Sequence, residues 1–153
     1  MKKIIQTTVL LSTLFLSNLN AKSGDIYAGL EWYGLSVKYD ATDKVTAQII
    51  GGLWGYSNIL SVTTKGIYKF KERNYYTLYG YGALTSWAWD NGVENETVLG
   101  FGAGGGMEYD LRGLDREFIP LFVSADIGLQ VAKFNHYRGF NGVGLEFGIH
   151  YKF

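Results

Sequence analysis

Seven acidic and basic side chains, Glu31, Lys38, Lys65, Lys69, Glu108, Asp126 and Glu146, together with His150 and Lys152, are the chain's principal candidates for chemistry. Charges of both signs brought onto one surface either pair into a network or line a narrow path for protons or ions. His136 and His150 are the only histidines. Two such residues far apart in sequence make a poor metal site, because a metal needs three or four ligands converging. His136 and Glu146 are a conceivable acid–base pair, and a hydrolase would add a nucleophile to them. Gly102-Ala103-Gly104-Gly105-Gly106 lacks the Lys-Ser/Thr and the following helix that a phosphate-binding loop requires. No catalytic, cofactor-binding or metal-binding residue is assigned on these grounds, and no cofactor is expected.

The elements that must position these charges are strands. Across 153 residues there are 21 Gly, 12 Tyr, 9 Phe and 1 Pro, with 47% apolar residues. That mixture is too aromatic for disorder and too rich in glycine for a helical bundle, so it reads as one all-β domain. The last segment is the clearest. Val143, Leu145, Phe147, Ile149, Tyr151 and Phe153 alternate with Gly142, Gly144, Glu146, Gly148, His150 and Lys152. Leu99, Phe101, Ala103, Met107 and Tyr109 alternate with Gly100, Gly102, Gly104, Gly106, Glu108 and Asp110, and Leu121 to Val131 behaves alike. Val45 to Leu53 and Leu60 to Phe70 do the same, except that Ile50 and Ile67 interrupt the polar side. Tyr75 to Trp89 is extended by composition but mixed on both faces, and the expectation is that Tyr79 and Tyr81 point outward.

The first segment changes phase. Ile26, Ala28, Leu30 and Trp32 are apolar at even positions, whereas Leu35, Val37 and Tyr39 are apolar at odd ones. A two-residue hairpin at Tyr33-Gly34 accounts for the switch and brings the strand count to eight. A bulge in one long strand is the alternative and gives seven.

The N-terminus has the form of an export signal. Lys2 and Lys3 precede an apolar run from Ile4 to Leu16 and a short polar tract ending at Ala21. Residues 1–21 are therefore expected to be a signal peptide and residues 22–153 the barrel. Without Lys2 and Lys3, the 14 basic residues fall to 12 against 14 acidic ones, a balance with no nucleic-acid footprint. With no cysteine there is neither a disulfide framework nor a lipid-modified N-terminal cysteine.

Alternation alone does not decide whether the apolar face of a barrel points in or out. Three features point it outward, to lipid. Leu145, Phe147, Ile149, Tyr151 and Phe153 resemble the C-terminal assembly signal of bacterial outer-membrane barrels. The opposite face is largely glycine with scattered charges, which suits the cramped interior of eight strands. Trp32, Trp54, Trp87 and Trp89 fall at one end of the strands, and Tyr39, Tyr68, Phe70, Tyr109, Tyr151 and Phe153 at the other. That spacing matches the aromatic girdles of a membrane barrel.

Residues 25 to 153 thus resemble the small eight-stranded outer-membrane β-barrel family that includes opacity-type and OmpX-like proteins. The resemblance implies an eight-stranded antiparallel up-and-down transmembrane β-barrel in a bacterial outer membrane. It implies outer-membrane lipid, lipopolysaccharide and the outer-membrane assembly machinery as partners, and a structural or surface-interaction role. An enzyme is the alternative, since barrels of the lipid A deacylase type use a His, Ser and Glu set. Here, however, the residue two positions after His136 is Arg138 rather than serine. A soluble periplasmic barrel enclosing a small apolar ligand is the other alternative.

Overall fold

The structure is a computed structural model describing residues 24–54, 59–90, 95–132 and 141–153. The expected signal segment, residues 1–21, lies outside the described residues, as does His136. Eight strands follow one another in chain order: β1 (Ile26–Glu31), β2 (Gly34–Asp40), β3 (Val45–Trp54), β4 (Ile59–Glu72), β5 (Tyr76–Asp90), β6 (Asn95–Asp110), β7 (Leu121–Ala132) and β8 (Asn141–Lys152). Each pairs antiparallel with its neighbour in sequence, and β8 returns to pair with β1, closing an up-and-down barrel. Closure matters physically because it leaves no strand edge with unpaired amides and carbonyls. Connections 41–44, 73–75 and 111–120 lie at the end where β1 begins and β8 finishes, the turn end. The hairpin residues 32–33 and the strand ends at Trp54, Ile59, Asp90, Asn95, Ala132 and Asn141 lie at the other, the loop end.

The phase change near the N-terminus is a hairpin, not a bulge. Its two loop residues are Trp32 and Tyr33, one position earlier than expected, and Leu30 pairs with Leu35 instead of Val37. This moves the register by two residues, so every side chain keeps its face. The reason lies in the next strand. Gly34 pairs with Gly52, and a Cβ on Gly34 would stand 2.6 Å from the Gly51 carbonyl carbon and 2.7 Å from the Gly52 Cα. The glycine is needed for close backbone approach between strands rather than for the turn.

Burial is inverted relative to a water-soluble protein. Leu145 is 63% exposed and Phe101 63%, whereas Lys65 is 3% and His150 0% exposed. Leu30, Val37, Leu84, Leu99, Ile127, Leu129 and Phe147 share the outer face with Leu145, and Glu31, Ser36, Gln48, Thr63, Thr85 and Asp126 lie inside. Ile50 and Ile67, which interrupt the polar pattern in sequence, are also buried inside. At the loop end Ile59, Trp87 and Ala132 form an apolar plug, with Trp89 and Val98 packed against it. This corrects the girdle expectation for Trp87 and Trp89, which reach the loop end but face the interior.

The expected orientation of Tyr79 and Tyr81 is likewise corrected: both face inward. Tyr79 pairs directly with Gly106 and Tyr81 with Gly104, and directly paired residues share a face. A Cβ on Gly104 would lie 2.8 Å from Tyr81 Cζ, and one on Gly106 2.8 Å from Tyr79 Cε2. The glycines of β6 therefore leave the volume that the two tyrosine rings fill.

Candidate functional site

The interior charges meet across the lumen, between strands far apart in sequence. On β7 and β8, Asp126 and Glu146 are direct cross-strand partners, an arrangement in which like charges repel. Lys65, projecting from β4, answers both, with Nζ 2.9 Å from Asp126 Oδ2 and 2.5 Å from Glu146 Oε2. The same ammonium sits 4.6 Å from the centroid of the Tyr81 ring, a cation–π contact that adds to the pair. The Tyr79 hydroxyl donates to Asp126 Oδ1. A carboxylate this deep is tolerated only with such a set of donors, because an unpaired buried charge is strongly destabilising.

Towards the turn end, Lys38 Nζ on β2 meets Glu108 Oε2 on β6 at 2.6 Å. Lys69 Nζ on β4 lies 2.9 Å from Asp40 Oδ2 and 3.9 Å from Glu72 Oε1. The Tyr27 hydroxyl donates to Asp40 Oδ2 at 3.0 Å, and the Thr46 hydroxyl donates to Oδ1. Tyr27, Lys38, Asp40, Lys69, Tyr79 and Glu108 border a space of only about 10 Å³, room for roughly one water. Gln48 separates Lys38 from Lys65 in the sheet, being the direct pair of both. A neutral amide there keeps two cations from adjoining.

Glu31, Ser36, Gln48 and His150 form a fourth group. Gln48 Nε2 donates to Glu31 Oε1 at 2.7 Å and to Ser36 Oγ at 2.8 Å. His150 Nε2 is 2.9 Å from Ser36 Oγ and 3.8 Å from Glu31 Oε1, while its buried Nδ1 has no hydrogen-bond partner among the described residues. A hydrolytic triad places the carboxylate on the ring nitrogen remote from the nucleophile. Here serine and carboxylate approach the same nitrogen of a fully buried ring, so this group holds strands together and is not arranged for hydrolysis. Glu146, the carboxylate considered for an acid–base pair with His136, is held by Lys65 inside the barrel.

Of the nine charged or titratable residues singled out in the sequence, Lys65, Asp126 and Glu146 form one cluster, Lys38 and Glu108 another, and Glu31 and His150 belong to the group with Ser36 and Gln48. Lys69 joins Asp40, a residue absent from that set. Lys152 sits at the turn-end rim, 2.5 Å from Asp25 Oδ2 and 5.6 Å from the Tyr27 ring centroid, apart from the cross-lumen pairs. Tyr27, Tyr79, Ser36 and Gln48 also belong to these groups, though their residue types do not mark them as charge partners in the sequence. Alternation does mark Ser36 and Gln48 as inward-facing, but nothing in the chain marks them as partners of His150 and Glu31.

The five residues of the terminal motif, Leu145, Phe147, Ile149, Tyr151 and Phe153, all lie on the outer surface. Tyr151 and Phe153 stack edge to face at 5.1 Å, and Phe147 meets Trp32 of the β1–β2 hairpin at 6.1 Å. Leu145, Phe147, Ile149 and Tyr151 belong to the strand that closes the barrel, which pairs Ile149 with Leu30 and Tyr151 with Ala28.

No family model and no curated protein matches this sequence. Among solved structures, the N-terminal β-barrel domain of Pseudomonas aeruginosa OprF is similar, with a TM-score of 0.62 and 19% identity over 87% of this chain and 98% of that one. At that identity the likeness concerns the fold. The chain therefore has the architecture of a small outer-membrane-type barrel.

Proposed function

We propose that this protein is an exported β-barrel of a bacterial outer membrane, with residues 1–21 as its signal peptide, acting as a structural or surface-interaction component with a closed, salt-bridged interior. The inversion of burial carries the reading: large apolar side chains ring the outside while lysines and carboxylates pair inside. In water that arrangement would expose apolar surface far beyond what soluble monomers carry. In lipid it meets two requirements of a spanning barrel, apolar residues outward and backbone groups paired internally. Tyr68, Phe70, Tyr151 and Phe153, exposed at the turn end, supply aromatic rings at headgroup depth on that side. In this reading Leu145, Phe147, Ile149, Tyr151 and Phe153 are the segment that the assembly machinery recognises, and lipid and lipopolysaccharide surround the barrel.

The interior acts as a plug in this reading. The cross-lumen pairs occupy the space that a carrier of an apolar ligand would keep open, and the space beside Lys38 and Glu108 is far below the roughly 300 Å³ at which ligand pockets begin. The test is fractionation followed by electrophoresis with and without boiling. The expected result is a protein extracted only by detergent, whose band shifts on heating as the barrel opens. A water-soluble, detergent-independent protein would overturn the reading.

A further inference from the structure

Residues 111–120 form the longest connection between any two strands, and they lie at the turn end, where bacterial barrels carry short turns. The segment has its own internal order. The Asp110 carboxylate accepts from Arg112 N, Nε and Nη2, at 3.0 Å, 3.0 Å and 2.6 Å respectively, opening a single 3-10 turn, Leu111–Gly113. Those side-chain hydrogen bonds hold the Arg112 pKa above its ordinary value, so the guanidinium stays charged. Phe118 N donates to the Asp115 carbonyl at 3.0 Å, and Lys152 N donates to the Pro120 carbonyl at 2.9 Å, tying the segment to the C-terminal strand.

This ordered segment buries none of its large apolar side chains. Leu114, Phe118 and Ile119 are 76%, 46% and 56% exposed. Three such residues held together in water would be unfavourable. They are tied, however, to the strand end bearing Tyr151 and Phe153, so they continue the apolar outer belt at its rim. Beside them an open recess of about 270 Å³ is lined by Asn74, Tyr75, Asp110, Arg112 and Arg116; Asp110 neutralises Arg112, which lies over the inward-facing Phe122, and Arg116 adds a second guanidinium. Apolar side chains next to arginines are the composition of an interfacial membrane anchor.

We propose that Leu114, Phe118 and Ile119 seat in the near leaflet of a phospholipid bilayer at the turn end. The inference rests on the membrane reading above and adds a specific lipid contact outside the strands.

The chain lacks cysteine, so single-cysteine variants can carry an environment-sensitive dye without other changes. Phe118→Cys, Leu145→Cys on the outer belt and Asp43→Cys in the turn 41–44 would each be labelled in the full chain. They would then be reconstituted in phosphatidylethanolamine–phosphatidylglycerol vesicles containing doxyl-labelled phospholipid. The expected result is blue-shifted, lipid-quenched emission at 118 and 145, and water-like, unquenched emission at 43. Quenching at 145 but not at 118 overturns the anchor while leaving the membrane barrel intact; if position 118 is then also shielded from iodide, a protein partner covers the segment instead. Equal quenching at 43 and 118 shows that the whole turn end lies near lipid and also overturns a specific anchor. Absence of quenching at 145 overturns the membrane reading and the anchor with it.

Discussion

Lys65→Met removes the ammonium that bridges Asp126 and Glu146 while keeping most of the side-chain volume, and so isolates the electrostatic part of the interior. The two carboxylates are direct cross-strand partners, with side chains 5% and 19% exposed, and Lys65 is within 2.9 Å of both. Removing one partner of a buried ion pair costs about 3–5 kcal/mol because a charge is left uncompensated. Glu146 is partly solvated, its side chain 19% exposed, which lowers that cost; the lost contact with Tyr81 adds on the order of 1 kcal/mol. The net expectation is a loss of about 3–5 kcal/mol, read as a lower urea midpoint for the folded barrel in detergent. The triple variant Lys65→Met, Asp126→Asn, Glu146→Gln removes all three charges and is expected to recover most of that loss, since a neutralised interior has no orphaned ion. A single variant costing less than about 1 kcal/mol would refute the argument, as would a triple variant no more stable than the single one.

Three further outcomes follow from the same geometry. Glu146→Gln should lower the temperature at which the band shifts on boiling yet leave planar-bilayer conductance at background, because Lys65 still holds Asp126; a large new current would show that this pair gates a path. Leu145→Arg, on the outer face near mid-strand, should cost about 2–4 kcal/mol in lipid, and unimpaired assembly into vesicles would contradict lipid contact on that side. Gly104→Val should prevent the heat-modifiable form from appearing, since a Cβ there meets Gly128 Cα at 2.6 Å and Tyr81 Cζ at 2.8 Å, whereas Gly82→Ala, with nothing within 4 Å, should fold as the parent does.

Much of the architecture is legible in the chain because a strand's two faces repeat with period two. Where one side is uniformly apolar, as from Val143 to Phe153 or Leu99 to Tyr109, the faces and the strand follow directly. The phase change between Trp32 and Leu35 requires a chain reversal or a bulge, but the choice and the loop position depend on Gly34 meeting Gly51 and Gly52 in another strand. Tyr79, Tyr81, Trp87 and Trp89 are bulky residues in a strand mixed on both sides, so nothing local sets their direction. The glycine stripe of β6 decides it for the tyrosines, by leaving space on the inner face. The charged residues can be assigned to the polar face from alternation alone. Their partners cannot, because Lys38–Glu108 and Lys65–Glu146 join residues 70 and 81 positions apart. Such pairs exist only once eight strands close and the stagger of the sheet sets which side chains share a level in the lumen. The sequence by itself determines the strands and most of their faces, and closure decides which charges neutralise each other, because Coulomb pairing depends on distance across the barrel and not on order along the chain.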